Sequence, residues 1–335
     1  PFCGGRRLRF LQLLKTLGGE SSPPFFCIMI ESDKITEKLD EADDLLKQKK
    51  YGEAITCLEN IHKIYPREES VLLRLAWASW DKGNKERSIE YWEILVDREL
   101  QRNVFTGFAY DELVRIYKQE AEIGKLIALC EKAAFAQPQD IGLLEELGKA
   151  YLLSGQNEKA CNVFKKLTSL EADNPAFYCR LGEALLVAGK TDACEEAYRQ
   201  ACRIDPDEAD RYLFQAADLY LRGGHFEAAK RLLKKCLEIA PSNSFYYCSL
   251  GDILIALKQP EDAFAEYEKA CRYNYSHTAA YYNRLGNSLM KAGLFADAVK
   301  AFEAALSFDA STPCRRNLEQ AYQASGPSSF RSTNT

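Results

Sequence analysis

Twelve cysteines and three histidines are the residues of this 335-residue chain whose chemistry would be most telling. Thiolates and imidazoles hold zinc when they come in spaced sets, such as paired CxxC. No CxxC pair occurs, and no Cys/His cluster has ligand spacing. His62, His225 and His277 lie far apart along the chain, with no partners arranged for acid–base or nucleophilic work. No phosphate-binding GxxxxGKS/T loop is present. Acidic–basic pairs abound, but at helical spacing they read as solvated salt bridges. Most cysteines, among them Cys57, Cys130, Cys161, Cys194, Cys236 and Cys271, sit among apolar residues at helical intervals. They read as small core hydrophobes. Free thiols of that kind suit a reducing compartment, so a cytoplasmic location is expected. The expectation is a protein that is not an enzyme and that has no metal and no cofactor.

What elements carry these residues is set by composition first. Hydrophobic residues make up 47% and charged residues 28%, enough for a sizeable core. The net charge of −5 lacks the basic surplus that phosphate neutralisation asks for, so no nucleic-acid partner is expected. No run of 18 apolar residues occurs, so no membrane span is expected. Near the start, Arg6, Arg7 and Arg9 precede a short apolar run that Lys15 interrupts, which is short for a signal peptide. Met29 opens MIESDKITEKLDEADDLL, which reads as a start. Residues 1–28 are expected to be an upstream segment without a packed fold, with a weak targeting segment as the runner-up.

Prolines and glycines recur with one period. Pro66, Pro138, Pro206 and Pro241 step by 72, 68 and 35. Gly155, Gly189, Gly224 and Gly293 step by 34, 35 and 69, and Gly148, Gly182, Gly251 and Gly286 by 34, 69 and 35. A repeat of about 34 residues follows. It places units at 35–68, 69–102, 107–140, 141–174, 175–208, 210–243, 244–277 and 279–312, with an insertion at 103–106. A last helix at 313–324 reads as a polar cap, and the tail 325–335 as disordered.

Each unit resolves into two amphipathic helices. In the fourth, Leu144, Leu147, Gly148 and Tyr151 form one stripe, Gly155 ends the helix, and Ala160, Phe164 and Leu167 form the second stripe. Small residues such as Gly148, Gly182, Gly251 and Gly286 let paired helices approach closely, while Trp92, Phe164, Tyr198, Leu233, Tyr267 and Phe302 fill one shared large position. These residues, most plainly YYNRLGNSLMKAGLFADAVKAFEAALSFD in the eighth unit, resemble the tetratricopeptide-repeat family over about residues 35–324. The resemblance implies an all-α fold, a right-handed α-solenoid of helix-turn-helix repeats spanning 29–324. The third unit departs from the pattern, with Val114 at the glycine position and Leu126 at an alanine position. A splayed helix pair there, and a bend near 101–107, are expected.

In this family the first helix of each unit lines a concave face that holds extended peptides or partner helices. The resemblance therefore implies a protein-interaction scaffold or adaptor. Non-catalytic regulatory subunit of an enzyme complex and RNA-processing helical-repeat protein are the alternatives. The inward positions form a second stripe on the first helices. On it stand Trp77 and Trp80, then Arg211, Phe214 and Arg222, then Phe245, Asp252 and Ile255, then Asn283, Asn287 and Lys291. Phe214, Leu221, Phe245 and Ile255 would form an exposed apolar patch flanked by Arg211, Arg222 and Asp252. The competing reading is that winding of the repeats buries these side chains. Asn283 and Asn287 could bond a peptide backbone or simply be solvated. The Lys–Asn arrangement with which some family members grip a C-terminal carboxylate is missing from the stripe, so chaperone-tail binding is disfavoured. Self-association through an end unit is left open.

Overall fold

The computed structural model describes residues 25–102, 107–309 and 312–325, all of whose regular elements are helices. The segment before Phe25, the insertion 103–106 and the tail 326–335 lie outside the described residues. Helix α1 (Phe25–Lys47) begins ahead of Met29, so the boundary expected at 28/29 falls within an element. It is followed by α2 (Tyr51–Ile64), the pair α3 (Glu69–Asp81) and α4 (Lys85–Leu100), and α5 (Phe108–Gln119). These helices form one compact unit that ends at Glu122.

A second compact unit runs from Ile123. It opens with α6 (Ile123–Ala136), then pairs α7 (Ile141–Leu153) with α8 (Asn157–Leu170) and α9 (Pro175–Val187) with α10 (Thr191–Ile204). Next come α11 (Ala209–Arg222) with α12 (Phe226–Ile239) and α13 (Ser244–Ala256) with α14 (Pro260–Tyr273). The pair α15 (Thr278–Lys291) and α16 (Phe295–Phe308) and a final α17 (Thr312–Ser325) complete it. The chain thus divides inside the third repeat, the one carrying Val114 and Leu126, and beyond the 101–107 stretch where the sequence suggested a bend.

One backbone feature marks every repeat. The chain leaves each first helix through a residue in the left-handed region: Lys49, Gly83, Ala121, Gly155, Gly189, Gly224, Lys258 and Gly293. A helix terminus closed this way needs positive φ, which glycine adopts without cost. The next amide then caps the helix, as Gln156 N does on Tyr151 O at 2.9 Å and Lys190 N on Leu185 O at 2.8 Å. Asp140, Asn174 and Asn243 cap the following first helices through side-chain oxygens, accepting from Leu143, Ala176 and Phe245 amides. Where the sequence has one extra residue, at the sixth and eighth units, short 3₁₀ turns at Pro206–Glu208 and Tyr275–His277 take it up.

Helix α5 starts differently. Its N-cap is Gly107, which has no side chain to accept an amide. The buried Glu99 carboxylate, from the last turn of α4, accepts from Ala109 N at 3.1 Å and Tyr110 N at 3.2 Å. A negative charge thereby sits against the positive end of the α5 dipole.

Within pairs, side-chain sizes are complementary. A Cβ added to Gly148 would lie 2.7 Å from Phe164, at Gly182 2.6 Å from Tyr198, at Gly251 2.6 Å from Tyr267, and at Gly286 2.5 Å from Phe302. Ring atoms occupy the space a side chain would need at each glycine. Units one and six instead carry Ala42 and Ala217 at the small position and Leu58 and Leu233 at the large one. The second unit keeps both Ala76 and Trp92. The third repeat, which the two units share, has Val114 at the small position and Cys130 at the large one in its sequence. Five of the cysteines singled out above are buried and Cys57 is half-buried.

Candidate partner-binding face

In the first compact unit, α3 carries both tryptophans. Half-buried Trp77 stands edge-on to buried Trp92, with centroids 5.3 Å apart and planes at 88°. Trp80 is half-buried, with Lys85 Nζ 5.6 Å from its ring centroid and the Arg115 guanidinium at 6.0 Å. Both rings pack within their own unit.

In the second unit, the first helices α9, α11, α13 and α15 carry the remaining candidates. Phe214 of α11 meets Phe245 of α13 at 5.3 Å, edge to face, and stacks on Tyr246 at 5.3 Å. Phe214 is half-buried and Phe245 is 48% exposed. The two phenylalanines line a small hollow of about 110 Å³ together with the apolar Ala217, Leu221 and Ile253 and the charged Asp218, Asp252 and Arg284. So the structure brings Phe214, Phe245 and Asp252 together. It does not bring Ile255 with them: that side chain is 3% exposed, a core residue of α13. The stripe placed it in solvent, and the packing around α13 buries it. Burial of a first-helix residue is decided by neighbouring helices, which one repeat's periodicity does not encode.

Asp252 is the polar centre of this region. Its Oδ1 accepts from Tyr267 Oη at 2.7 Å and Ser288 Oγ at 2.6 Å, and its Oδ2 from Arg284 Nε at 3.0 Å and Nη2 at 2.7 Å. The Arg284 guanidinium also lies 5.2 Å from the Phe245 ring centroid. Burial lowers the affinity of Arg284 for its proton, but the Asp252 carboxylate outweighs this, so its pKa is raised and the ion pair is held firmly. Burial, reinforced by Asp252, pushes the Tyr267 phenol well above its usual range.

A second, more polar groove of about 340 Å³ lies between α9 and α11. Its charges are matched in place: Arg180 Nη1 to Glu183 at 3.1 Å and Arg222 Nε to Asp218 at 3.0 Å. Burial pushes the Cys179 thiol beside it up to about 12, so it stays protonated at neutral pH. Arg211, at the start of α11, is exposed and paired with Glu208. On α15, Asn283 accepts from Asn317 Nδ2 of α17 at 2.9 Å, so it braces the last helix, while Asn287 and Lys291 are exposed.

Arg284 was not singled out from the sequence. One signal could have found it, because ion pairs between neighbouring repeats recur about one period apart. Arg74 bonds Asp43, Lys190 bonds Glu158, Arg231 bonds Glu195, and Arg284 bonds Asp252. Among the described residues no helix is long and apolar enough to cross a membrane, and no cluster of His, Cys, Asp and Glu is arranged to hold a metal ion.

Comparison with known proteins bears on the family. Sequence models described as tetratricopeptide repeat match residues 39–99, 175–208, 210–243, 246–277 and 278–308, and one described as TPR repeat matches 148–189. The chain is 23% identical over 183 residues to the BBSome complex member BBS4 homolog of Drosophila melanogaster, covering 50% of this chain and 37% of that protein. It is 23% identical over 155 residues to tetratricopeptide repeat protein 21A of Mus musculus, covering 45% of this chain and 12% of that one. The chain therefore spans well under half the length of these relatives. Among solved structures, a tetratricopeptide repeat protein from Parabacteroides merdae aligns over 76% of this chain and 98% of its own at 16% identity, with a TM-score of 0.47. The MamA protein aligns over 50% and 91% at 20% identity, with a TM-score of 0.39. With its period, its left-handed turns, its small-against-large helix pairs and the sequence-model matches along it, the chain belongs to the tetratricopeptide-repeat family, an all-α solenoid class of protein-interaction scaffolds.

Proposed function

We propose that this protein is a scaffold or adaptor, not an enzyme, that holds a segment of a partner protein against the first helices of its sixth to eighth repeats. The observation that carries the reading is the aromatic hollow. Phe245 keeps 48% of its surface in solvent and, with Phe214 of the neighbouring first helix, lines the hollow. Aromatic side chains left open beside a cavity are where binding energy concentrates. The likeness to a BBSome complex member supports a role as one subunit of a larger assembly.

The test is affinity capture from a native-source lysate, comparing the chain with a Phe214→Ser/Phe245→Ser variant by quantitative mass spectrometry. Circular dichroism would verify that helicity is kept. Partners lost with the variant are expected. Identical partner sets would place binding elsewhere on the chain.

A further inference from the structure

The fifth and seventh repeats carry one arrangement of positions, and only the seventh is answered by the chain itself. Tyr267 stands fifteen residues after Asp252, and Arg284 thirty-two after it. Tyr198 and Gln215 stand at the same intervals from Glu183. The rings correspond in place as well as in number, since Tyr198 packs on Gly182 and Tyr267 on Gly251. At the seventh repeat, Tyr267 and Arg284 both donate to Asp252, which with Ser288 accepts four hydrogen bonds in all. At the fifth, the chain supplies no such guanidinium. Gln215 is shorter and uncharged, and its amide has no partner among the described residues. Tyr198 is 5% exposed and lines the groove between α9 and α11, and its hydroxyl also has no partner among the described residues. A phenol so deeply set is costly to leave unbonded, which marks it as a group kept for something in the groove. Glu183 and Asp218 each accept one hydrogen bond, from Arg180 and Arg222 of their own helices. A carboxylate has lone pairs for about four, and a guanidinium carries more N–H groups than these single bonds use.

We propose that this groove, separate from the aromatic hollow, binds a small guanidino amino acid. Its guanidinium donates to Tyr198 Oη, Glu183 and the Gln215 amide oxygen, taking the place that Arg284 holds against Tyr267 and Asp252. Its zwitterionic head meets the Asp218–Arg222 pair, the ammonium donating to Asp218 and Arg222 donating to the carboxylate. The lining charges, Arg180 and Arg222 against Glu183 and Asp218, are balanced, which suits a head of both signs. Neighbouring helices pack about 8–10 Å apart, the reach of a guanidinium and an amino-acid head joined by a short aliphatic chain. The groove volume of about 340 Å³ is that of a small-molecule site. An arginine inside a polypeptide has given up both head charges to peptide bonds, so it would leave the Asp218–Arg222 pair unmet. A free molecule is therefore the occupant.

The experiment is a ligand-observed NMR titration of the full chain, Tyr198→Phe and Gln215→Arg, with circular dichroism on all three. The probes are L-arginine, its uncharged isostere L-citrulline, and arginine blocked at both ends as the N-acetyl amide. Phenylalanine already fills the ring position in the fourth and eighth repeats, as Phe164 and Phe302, so Tyr198→Phe keeps the packing on Gly182. L-Arginine is expected to bind the full chain. Citrulline and blocked arginine should each bind about tenfold more weakly, and Tyr198→Phe should lose about tenfold for L-arginine. Gln215→Arg should abolish binding, because its guanidinium occupies the ligand's place as Arg284 does in the seventh repeat. No binding of L-arginine to the full chain, or citrulline or blocked arginine binding as tightly as arginine, would overturn the proposal. So would undiminished binding to folded Tyr198→Phe or Gln215→Arg.

Discussion

Glycine in the middle of a helix normally costs stability, so its recurrence at 148, 182, 251 and 286 needs a reason, and each has a ring lying on it. At Gly286 a methyl group would enter to 2.5 Å of Phe302, which is 1% exposed and locked in the core. Gly286→Ala should therefore destabilise by about 1–2 kcal/mol, overpacking outweighing the helix propensity gained. Adding Phe302→Leu should recover much of that loss, since Ala217 with Leu233 is the combination the sixth repeat uses. Urea titrations of the two single variants and the double test this, and additive losses would count against size exchange. The stripes and small positions were legible in the sequence because they repeat. Arg284 and the burial of Ile255 were not, because each depends on a neighbouring repeat.

Helix ends tell the repeats apart more than helix middles do. Three of the eight left-handed turn positions hold residues other than glycine: Lys49, Ala121 and Lys258. A Cβ in that conformation costs about 1 kcal/mol. Lys258→Gly should recover a similar amount and raise the melting temperature by a few degrees. An unchanged or lower melting temperature in a thermal scan would mean that the lysine stem compensates. The glycines at 155, 189, 224 and 293 supplied the period, whereas these three turns were silent to a search for glycine. Glu99 is the converse case. It is one acid among many in the sequence, yet its carboxylate caps the following helix. Glu99→Ala should cost about 1–3 kcal/mol by stripping two amides of their acceptor.

Across the whole molecule, burial leaves an alkaline signature. It pushes the thiol of Cys194 from 9.0 up to about 11, those of Cys179, Cys236 and Cys248 up to about 12, and the Tyr151 phenol from 10.0 up to about 12. A group with a raised folded pKa stabilises fully below its unfolded value, and that contribution is lost as pH climbs through the folded one. The urea midpoint should thus hold level to about pH 9 and fall steeply between pH 9 and 12. A midpoint still level at pH 11 would mean that these thiols are not buried. Family, helix pairing and period could be read from residue spacing. The division at Glu122/Ile123 could not, although Val114 and Leu126 marked the third repeat as irregular. The cap at Glu99 also bears on the order in which the first compact unit assembles. Helix α5 has no capping side chain at its own N-cap, Gly107, and borrows a carboxylate from α4, so its first turn should fray until α4 is in place. During synthesis α4 emerges first, and the acceptor then waits for the amides it will hold. In the native protein, hydrogen exchange at Ala109 and Tyr110 should report the opening of α4, not local fraying of the helix to which those amides belong.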